Sequence, residues 1–432
     1  MNVGLENPAV ASASNNYELF APAQVLGGKI SGIWDGRYLN WEKVNERLED
    51  DYSLSASGCL IHKTTHLKLG VSALEYRRLI KISVDLMHNQ STTMVGFRLR
   101  GVKYIANNGD KSLEIFRLDS IINQTAKNVI FEVTLMSTGY KYIFKCARIR
   151  GGSPAKSHIA NEVNILDRIH ALGPALGIMY RPKMTVDFNA LVKGKIFRNY
   201  GMILDQYSSD YFHVLKKRDI ASVPFKCKLW ETYQLLAGLK YIADLNVCHL
   251  DIKPENILIA KTKSGRLFLH LSDFGTAFRH QKDAQSLGNN FNFSHKYVIR
   301  SEIKTIALLL QNKSMDLFIQ LGKKIDVLAT GIIMYSVFTA EFPPKMYDIH
   351  FPINQDIYDP LKKNAPEQLY DLIIKMLRFS DLERISAGTA FDLFYKFIIE
   401  HEPMFHQNIQ EFVLKHKYVN FQIQENEKLE AK

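Results

Sequence analysis

One short segment of the sequence carries side chains that could assist the transfer of a phosphoryl group. The segment reads His249-Leu250-Asp251-Ile252-Lys253-Pro254-Glu255-Asn256-Ile257-Leu258, and Asp273-Phe274-Gly275 follows it. Asp251 could accept or orient the proton of an acceptor hydroxyl, and Lys253 could neutralise the phosphoryl group in transit. The amide oxygen of Asn256 and the carboxylate of Asp273 suit a magnesium ion. Phosphoryl transfer depends mainly on positioning and charge neutralisation, so these residue types indicate that reaction.

The two motifs together resemble the catalytic loop and the metal-binding Asp-Phe-Gly of the eukaryotic-type (Hanks-type) protein kinases. Residues 253–256 resemble the form found in Ser/Thr kinases. The resemblance covers about residues 115–400 and implies a kinase that uses ATP and phosphorylates Ser or Thr of protein substrates. It implies that Asp251 and Lys253 are catalytic. It also implies that Asn256 and Asp273 bind Mg²⁺, for which Mn²⁺ could substitute.

The family also needs a lysine that holds the α- and β-phosphates and a glutamate that orients this lysine. The turn at residues 137–139 is similar to the hairpin between the second and third strands of the family, which assigns Lys145 to the first role. Arg148 is the rival, but Lys145 fits the distance from the turn better. Glu162 lies on a helix with one apolar face and matches the partner glutamate.

Residues 202–207 resemble the hinge strand whose backbone N–H and C=O groups pair with adenine. Leu204 is implied to be the gatekeeper residue. The other implied nucleotide contacts are Asp205 and Tyr207 in the hinge, Leu258 below the adenine ring, and Ile130 and Ile143 above it.

Three later residues resemble structural positions of the family's helical lobe. Asp326 precedes an apolar stretch and resembles the aspartate that braces the backbone of the catalytic loop. Arg384 resembles the late arginine that pairs with the glutamate ending the activation segment. Glu302 is the candidate for that glutamate.

The sequence departs from the family pattern at the phosphate-binding loop. The three glycine positions of this loop fall on Asn123, Thr125 and Asn128. Glycine lets backbone N–H groups approach phosphates closely, and Asn tolerates positive φ better than most residues. Lys127 could contribute charge. The nucleotide grip is therefore expected to be weaker or differently built, with a comparatively high Michaelis constant for ATP.

A second departure is Leu250, which replaces the arginine that normally precedes the catalytic aspartate, as in a non-RD kinase. Between Glu302 and Asp326 the chain is longer than the family requires, and residues 305–310 are apolar. This insert is either a platform for a substrate or partner, or a helix that covers the lobe. We expect activity without phosphorylation of the activation segment, unless Arg279 replaces the missing arginine.

The elements that must position these residues form a strand-rich part followed by a helix-rich part. Alternating apolar residues predict strands at 129–135 and 140–149, and helical spacing predicts a helix at 158–169. Buried helices are predicted at 230–245 and 327–338. This order predicts an α+β, two-lobed protein-kinase-like fold, with a small β-rich N-lobe and a larger helical C-lobe.

The kinase-like region, residues 113–401, is flanked by segments without a chemical motif. Residues 1–112 are a region of unknown function that could form a small α+β domain. An Asn-Gly turn between two strands is predicted at residues 107–110. Residues 402–432 are a polar tail, which is expected to be helical and peripheral.

The composition is that of a soluble globular chain, since 46% hydrophobic and 23% charged residues exclude disorder over most of the length. The formal net charge of +11 allows an anionic partner. Nucleic-acid binding is not predicted, because the sequence has no basic stripe with interleaved aromatic residues.

The four separated cysteines predict an intracellular, cytoplasmic protein, acting in its own cell or delivered into a host cell. No signal peptide is predicted. No transmembrane segment is predicted either, because the strongest apolar run, residues 327–340, is shorter than the roughly 20 residues that a spanning helix needs.

Two other functions are open on the sequence alone. The altered phosphate-binding loop favours a pseudokinase that acts as an interaction scaffold. The presence of all five residues that the family uses for transfer argues against it: Lys145, Glu162, Asp251, Asn256 and Asp273. A small-molecule kinase of related fold is the other alternative, and it is disfavoured by Lys253-Pro254-Glu255.

Overall fold

The computed structural model describes part of the chain, which divides into two compact units. The first unit contains the described residues up to Ala160 together with residues 182–206, and the second contains residues 161–181 and the described residues from Tyr207 onwards. The described residues are 18–19, 52–54, 59–62, 68–72, 98–99, 102–109, 112–125, 127–135, 138–150, 153–154, 156–192, 195–219, 222–262, 265–279, 300–312, 314–339, 341 and 358–418.

The first unit is built on β-strands that pair antiparallel. In chain order the strands are β1 (Glu18–Leu19), β2 (Tyr52–Leu54), β3 (Cys59–His62), β4 (Lys68–Ser72), β5 (Arg98–Leu99), β6 (Val102–Gly109), β7 (Ser112–Gln124), β8 (Asn128–Leu135), β9 (Lys141–Ala147), β10 (Ile149–Arg150), β11 (Ser153–Pro154), β12 (Met184–Val192) and β13 (Lys195–Asp205). An eight-stranded sheet has the order β1-β12-β13-β9-β8-β7-β6-β5. Strands β2, β3 and β4 form a separate sheet, and β10 pairs with β11.

The hairpin of β8 and β9 confirms the two predicted strands and the turn between them. Val129, Phe131 and Val133 alternate along β8 and are buried. Phe131 stacks on Phe144 of β9, with 6.0 Å between the ring centroids. In the turn, Gly139 has a φ of 74°, a left-handed conformation that costs glycine little.

The Asn-Gly pair that is predicted to form a turn at residues 107–110 lies within a strand. Asn107 and Gly109 are in β6, with Gly109 paired to Ser112 of β7, and residues 110–111 lie outside the described residues. This register places Ile105 opposite Phe116, whose side chain is buried. A two-residue turn at positions 108–109 would pair Ile105 with Ser112 instead, and the apolar cross-strand pair would be lost.

The second unit is mainly helical. The helices are α1 (Lys156–Ile169), which begins in the first unit, α2 (Tyr211–Lys217), α3 (Phe225–Asp244), α4 (Arg300–Gln311), α5 (Met315–Thr339), α6 (Tyr358–Asn364), α7 (Glu367–Met376), α8 (Ala387–His401) and α9 (Pro403–His416). Strands β14 (Ser209–Asp210), β15 (Ile257–Lys261) and β16 (Leu267–Leu271) form a small sheet. Short 3-10 turns lie at Pro254–Asn256 and Phe274–Thr276.

Helices α3 and α5 form the core of the second unit, because both are apolar around most of their circumference. In α5 every residue from Ile325 to Thr339 is buried. Both predicted helices, at 230–245 and 327–338, are thus present with longer bounds. No helix in the described part of the chain has the length and hydropathy needed to cross a membrane.

The first part of the segment after Glu402 is packed rather than peripheral. Phe405, Ile409 and Val413 of α9 are buried. Phe412, on the same helix, lies edge-on to Trp230 of α3 at 5.2 Å between ring centroids. The polar composition of the segment hides these aromatic and aliphatic residues, which recur at helical spacing and form one packed face.

Candidate active site

The predicted catalytic loop, residues 249–258, places the predicted base in contact with both the lysine and the amide. Lys253 Nζ lies 2.7 Å from Asp251 Oδ2. Asn256 Nδ2 donates to the same oxygen at 2.9 Å and to the Asp251 carbonyl at 2.8 Å. The second carboxylate oxygen, Oδ1, is buried and makes no hydrogen bond within the described residues. The loop therefore holds Asp251 by one oxygen, and the other oxygen has no donor among the described residues.

The two predicted metal ligands, Asn256 and Asp273, are joined through the residue before Asp273. The N–H and the hydroxyl of Ser272 each donate to the Asn256 carbonyl at 2.8 Å. Asp273 has φ 62° and ψ 56°, a left-handed conformation that non-glycine residues rarely adopt and that concentrates at functional sites.

The donor atoms of this pair fit a magnesium ion. Because Nδ2 of Asn256 donates to Asp251, its Oδ1 is the atom suited to a cation. One amide oxygen and one carboxylate are few ligands for a protein site. Such a site suits Mg²⁺, which is commonly held by one or two carboxylates together with phosphate oxygens.

His249, the first residue of this loop, is buried and connects the loop to the residue that follows β16. Its Nδ1 accepts from the Asp251 N–H at 3.2 Å, because a backbone amide can only donate. Its Nε2 therefore carries the proton and donates to the Ser272 carbonyl at 2.9 Å. Burial lowers the pKa of His249, which favours this neutral form.

Asp326 braces the backbone of the loop, as the sequence predicts. Its Oδ2 accepts from the His249 N–H at 2.6 Å and its Oδ1 from the Leu250 N–H at 2.8 Å. Leu250 has a φ of 64°, so the brace stabilises a left-handed residue directly before Asp251. Burial raises the pKa of Asp326 to about 7, against the opposing effect of the two N–H donors.

The predicted pair of Glu302 and Arg384 is present in the second unit. Nη2 of Arg384 lies 2.9 Å from Glu302 Oε1, and both side chains are buried. The guanidinium also donates to the carbonyls of Lys324, Arg378 and Phe379. Breaking a buried pair of this kind by removing one partner typically costs about 3–5 kcal/mol. The pair thus fixes α4 to the loop before α8.

In the first unit, four of the residues predicted to contact the nucleotide share one face of the sheet. Ile130 of β8 lies directly opposite Lys145 of β9, and Ile143, two residues away on β9, lies opposite Leu204 of β13. Directly paired residues, and residues two apart on one strand, point to the same side. Lys145 is buried although it is charged.

The three positions where the family has glycines lie in the turn between β7 and β8 and in the strand ends beside it. Asn123 lies in β7, Thr125 in the turn and Asn128 at the start of β8. Asn123 and Thr125 are exposed, and Asn128 is buried. Arg148, the rival of Lys145, donates from Nη1 to the Thr125 carbonyl at 2.8 Å. The two basic residues therefore have different surroundings, and Arg148 is engaged with the turn.

The predicted hinge residues lie at the end of β13 and in the segment after it. Asp205 is the last residue of β13 and belongs to the first unit. Tyr207 belongs to the second unit, where its hydroxyl accepts from the Tyr180 N–H at 3.3 Å and its ring lies 5.1 Å from His270. Leu258 is half-buried on β15, opposite His270 of β16.

Glu162 is buried on α1, in the part of that helix that belongs to the second unit. Its neighbour Asn161 donates from Nδ2 to the Ala277 carbonyl at 2.7 Å. This bond ties α1 to the segment that follows Asp273. Asn161 is not among the residues predicted from the sequence. A polar residue beside the glutamate, on the side of α1 that is buried, is the signal that could have identified it.

The comparison with protein families agrees with this geometry. A family model described as the protein kinase domain matches residues 119–395, more than half of the chain. Among similar proteins, the meiosis-specific serine/threonine-protein kinase mek1 of Schizosaccharomyces pombe is 28% identical over 207 residues, covering 48% of this chain and 43% of that protein.

Two further relatives are more distant or match a shorter stretch. The serine/threonine-protein kinase DCLK2 of Rattus norvegicus is 25% identical over 292 residues, covering 64% of this chain and 33% of that protein. Calcium-dependent protein kinase 4 of Plasmodium falciparum is 28% identical over 166 residues, covering 37% of this chain and 28% of that protein. The chain thus spans less than half the length of each of these three relatives.

Proposed function

Because the chain belongs to the protein kinase family, we propose that it transfers the γ-phosphoryl group of ATP to Ser or Thr hydroxyls of protein substrates. The observation that carries the proposal is the arrangement around Asp251. Lys253 and Asn256 hold its Oδ2, and its buried Oδ1 makes no hydrogen bond within the described residues. Two of the relatives are named serine/threonine-protein kinases, which supports Ser and Thr as acceptors.

In this reaction the acceptor oxygen forms a bond to the γ-phosphorus, the bond from phosphorus to the bridging oxygen breaks, and ADP leaves. Oδ1 of Asp251 would accept or orient the proton of the acceptor hydroxyl, since Oδ2 already receives two donors. Lys253 would add positive charge beside the transferring group, where negative charge must be stabilised.

Asn256 and Asp273 would hold Mg²⁺ through the amide oxygen and the carboxylate. The bound ion neutralises charge on the phosphate oxygens. The part played by the chain is to keep the two ligands in place, through the two hydrogen bonds from Ser272 to the Asn256 carbonyl. His249 supports the same strand end by donating to the Ser272 carbonyl.

The proposed nucleotide contacts are taken from the family resemblance, and three of those in the first unit are supported by the register of the sheet. In the first unit, Ile130, Ile143 and Lys145 share one sheet face, which would offer the adenine an apolar surface and the phosphates a positive charge. The other proposed contacts are the hinge residues Asp205 and Tyr207, the floor residue Leu258, and Glu162 as the partner of the lysine.

The regulation that we propose rests on an apolar cluster in the second unit. Its buried members are Cys248, Leu250, Phe278, Ile306, Phe318, Leu321 and Ile325. Cys248 and Phe278 exchange backbone hydrogen bonds of 2.9 and 2.8 Å, and the Phe278 ring meets Phe318 at 4.5 Å. Residues of α4 and of the first turns of α5, which together form the insert, thus pack on both the catalytic loop and the segment after Asp273.

This cluster supports activity that does not depend on a phosphorylated activation segment. Where an arginine would bind a phosphate, Leu250 is buried among apolar side chains of the insert. The packing of Phe278 on Phe318 would hold the segment after Asp273 in place of a phosphate contact. Arg279 follows Phe278 directly and remains the alternative receptor for a phosphate.

The location that we propose is intracellular. Cys146, Cys227 and Cys248 are free thiols, and unpaired cysteines are typical of reducing compartments. A protein delivered into another cell would meet the same conditions, so both routes fit the proposal.

A radiolabelled γ-phosphate transfer assay tests the proposed function. Wild type should label Ser or Thr of a mixed protein substrate, whereas Asp251→Asn, Asp273→Ala and Lys145→Ala should not, because each removes charge from the site rather than core packing. The exposed Asp359→Asn is the matched control and should retain wild-type transfer. Label on free small alcohols alone would indicate a small-molecule kinase. Nucleotide binding without transfer would indicate a scaffold, and full transfer by Asp251→Asn would contradict the assigned base.

A further inference from the structure

The turn that replaces the glycine-rich loop is closed by its own hydrogen bonds. The Thr125 hydroxyl accepts from the Lys127 N–H at 3.2 Å and from the Asn128 N–H at 2.9 Å. The Thr125 N–H donates to the Asn128 carbonyl at 2.9 Å. A glycine-rich loop leaves such N–H groups available to phosphate oxygens. Here three of them are already used, so this turn cannot bind phosphate with them unless it opens.

Arg148 connects this turn to the strand that carries Lys145. Its backbone N–H donates to the Lys127 carbonyl at 2.7 Å, and its Nη1 donates to the Thr125 carbonyl at 2.8 Å. Its Nε is buried and makes no hydrogen bond within the described residues. The guanidinium therefore contacts the turn through its Nη1. Arg148 follows β9 directly, so the turn is fixed relative to the end of the strand on which Lys145 lies.

We propose that Arg148 and Thr125 are positioning residues for the turn between β7 and β8. They hold this turn in one closed conformation, in which its N–H groups are hydrogen-bonded within the turn. This inference rests on the proposed kinase function and adds how the site binds the triphosphate of ATP. A closed turn loses little conformational freedom when the nucleotide binds, whereas a glycine-rich loop must become ordered. The triphosphate is then bound by side-chain and metal charge, with the turn as a fixed wall rather than as a set of N–H donors.

The proposal predicts a specific pattern of nucleotide affinities. Arg148→Met and Thr125→Val should each weaken Mg-ATP binding roughly tenfold, the scale expected for a lost hydrogen bond from a charged donor or within a constrained turn. Adenosine, which has no phosphates, should bind each variant as it binds wild type. Both residues act on the same turn, so their effects should not add. The double variant should bind Mg-ATP no more weakly than the single variant with the lower affinity. Thr125→Ser keeps the hydroxyl and should bind Mg-ATP as wild type does.

Two further measurements separate positioning from other roles. In nucleotide-free wild type, the amides of Lys127 and Asn128 should exchange slowly with solvent deuterium, and this protection should be lost in Thr125→Val. In steady-state kinetics the variants should raise the Michaelis constant for ATP and leave kcat nearly unchanged, the pattern expected when ground-state binding is lost. Arg181→Met, at an exposed arginine outside the turn, is the matched control and should alter none of these values.

The experiment uses calorimetric titration of the full chain with Mg-ATP and with adenosine. Thr125 is exposed, so Thr125→Val tests the proposal even if Arg148→Met were to unfold. Unprotected Lys127 and Asn128 amides in wild type would overturn the proposal. So would additive losses in the double variant, since these would indicate a direct contact between Arg148 and the phosphates. If wild type binds Mg-ATP but transfers no phosphate, the proposed function fails, while the affinity and exchange data still decide this inference.

Discussion

Gly322 of α5 lies so close to Cys248 that a Cβ at position 322 would come within 2.8 Å of the Cys248 sulfur and within 3.2 Å of Leu250 Cδ2. Glycine is the residue that allows this approach, because it has no Cβ. The first turns of α5 are therefore pressed directly against the backbone that leads into Asp251. The insert supports the catalytic loop as well as covering it.

We expect Gly322→Ala to destabilise the protein and to reduce transfer. The added carbon would force Cys248 or Leu250 to move in a packed cluster, and overpacking of this kind typically costs about 1–3 kcal/mol. Chemical denaturation and the initial rate of transfer check this. Gly388→Ala is the matched control, since its Cβ would have only Ser386 Oγ nearby, at 3.8 Å. Equal unfolding free energies and equal initial rates of transfer for the two variants would show that α5 does not support the loop.

Leu250→Arg should not restore regulation by phosphorylation. Leu250 is 1% exposed among apolar side chains, so an arginine there would bury an unpaired charge, at a cost of several kcal/mol. We expect a lower denaturation midpoint and loss of transfer, whereas Leu250→Met, which nearly conserves volume, should cost less than about 1.5 kcal/mol. A stable Leu250→Arg protein whose activity rises on phosphorylation would contradict the role given to the cluster.

Removal of phosphate from the activation segment should leave the activity unchanged. The segment after Asp273 contains Thr276, Ser286 and Ser294, of which only Thr276 lies within the described residues. Its hydroxyl donates to the His249 carbonyl at 3.3 Å. The measurement is the initial rate after phosphatase treatment, with mass spectrometry confirming that the three sites are bare. A loss of tenfold or more, about 1.4 kcal/mol of transition-state stabilisation, would point to a phosphate receptor such as Arg279.

Asn161→Leu should lower kcat more than it lowers nucleotide affinity. Asn161 Nδ2 is a donor to the Ala277 carbonyl, and leucine of similar size would leave that carbonyl without this partner. The segment after Asp273 would then be less firmly held, so the metal ligand would be positioned less accurately. Asn164→Leu, at an exposed position of the same helix, is the matched control. If both variants keep wild-type kinetics, the bond to Ala277 has no role in transfer.

The parts of the site that could be predicted from sequence are those in which residue type and spacing act locally. The hairpin of β8 and β9, the brace at Asp326 and the pairing of Glu302 with Arg384 follow from motifs in the chain. That the insert covers the lobe was one of two alternatives, because the sequence does not show which face of α4 or α5 is turned inward.

The parts that could not be predicted depend on long-range register and on single hydrogen bonds. The Asn-Gly pair of residues 108–109 lies within β6, in a register that pairs Ile105 with Phe116 and that the local sequence does not reveal. The bond from Asn161 to Ala277 joins residues that are distant in sequence. Arg148 was considered only as a phosphate ligand, since its contact with the Thr125 carbonyl depends on how the turn between β7 and β8 lies against the end of β9.

The stability of the protein should carry a pH dependence that comes from Asp326. Burial raises the pKa of its carboxyl from an ordinary value of 3.8 to about 7. The folded state therefore binds this proton more tightly than the unfolded state does. The resulting stabilisation is complete below about pH 4 and is lost as the pH rises through about 7. Asp326→Asn removes the titrating group, although it also disturbs the bonds to the His249 and Leu250 amides.

We therefore expect the difference in unfolding free energy between wild type and Asp326→Asn to fall as the pH rises from about 4 to about 7. The slope should be no steeper than about 1.4 kcal/mol per pH unit. Urea denaturation across this pH range measures it. Asp326→Ser is the control, because it should shift the absolute stability but give the same slope as Asp326→Asn. A difference that grows with pH would mean that the two N–H donors outweigh burial and hold the carboxylate in its charged form.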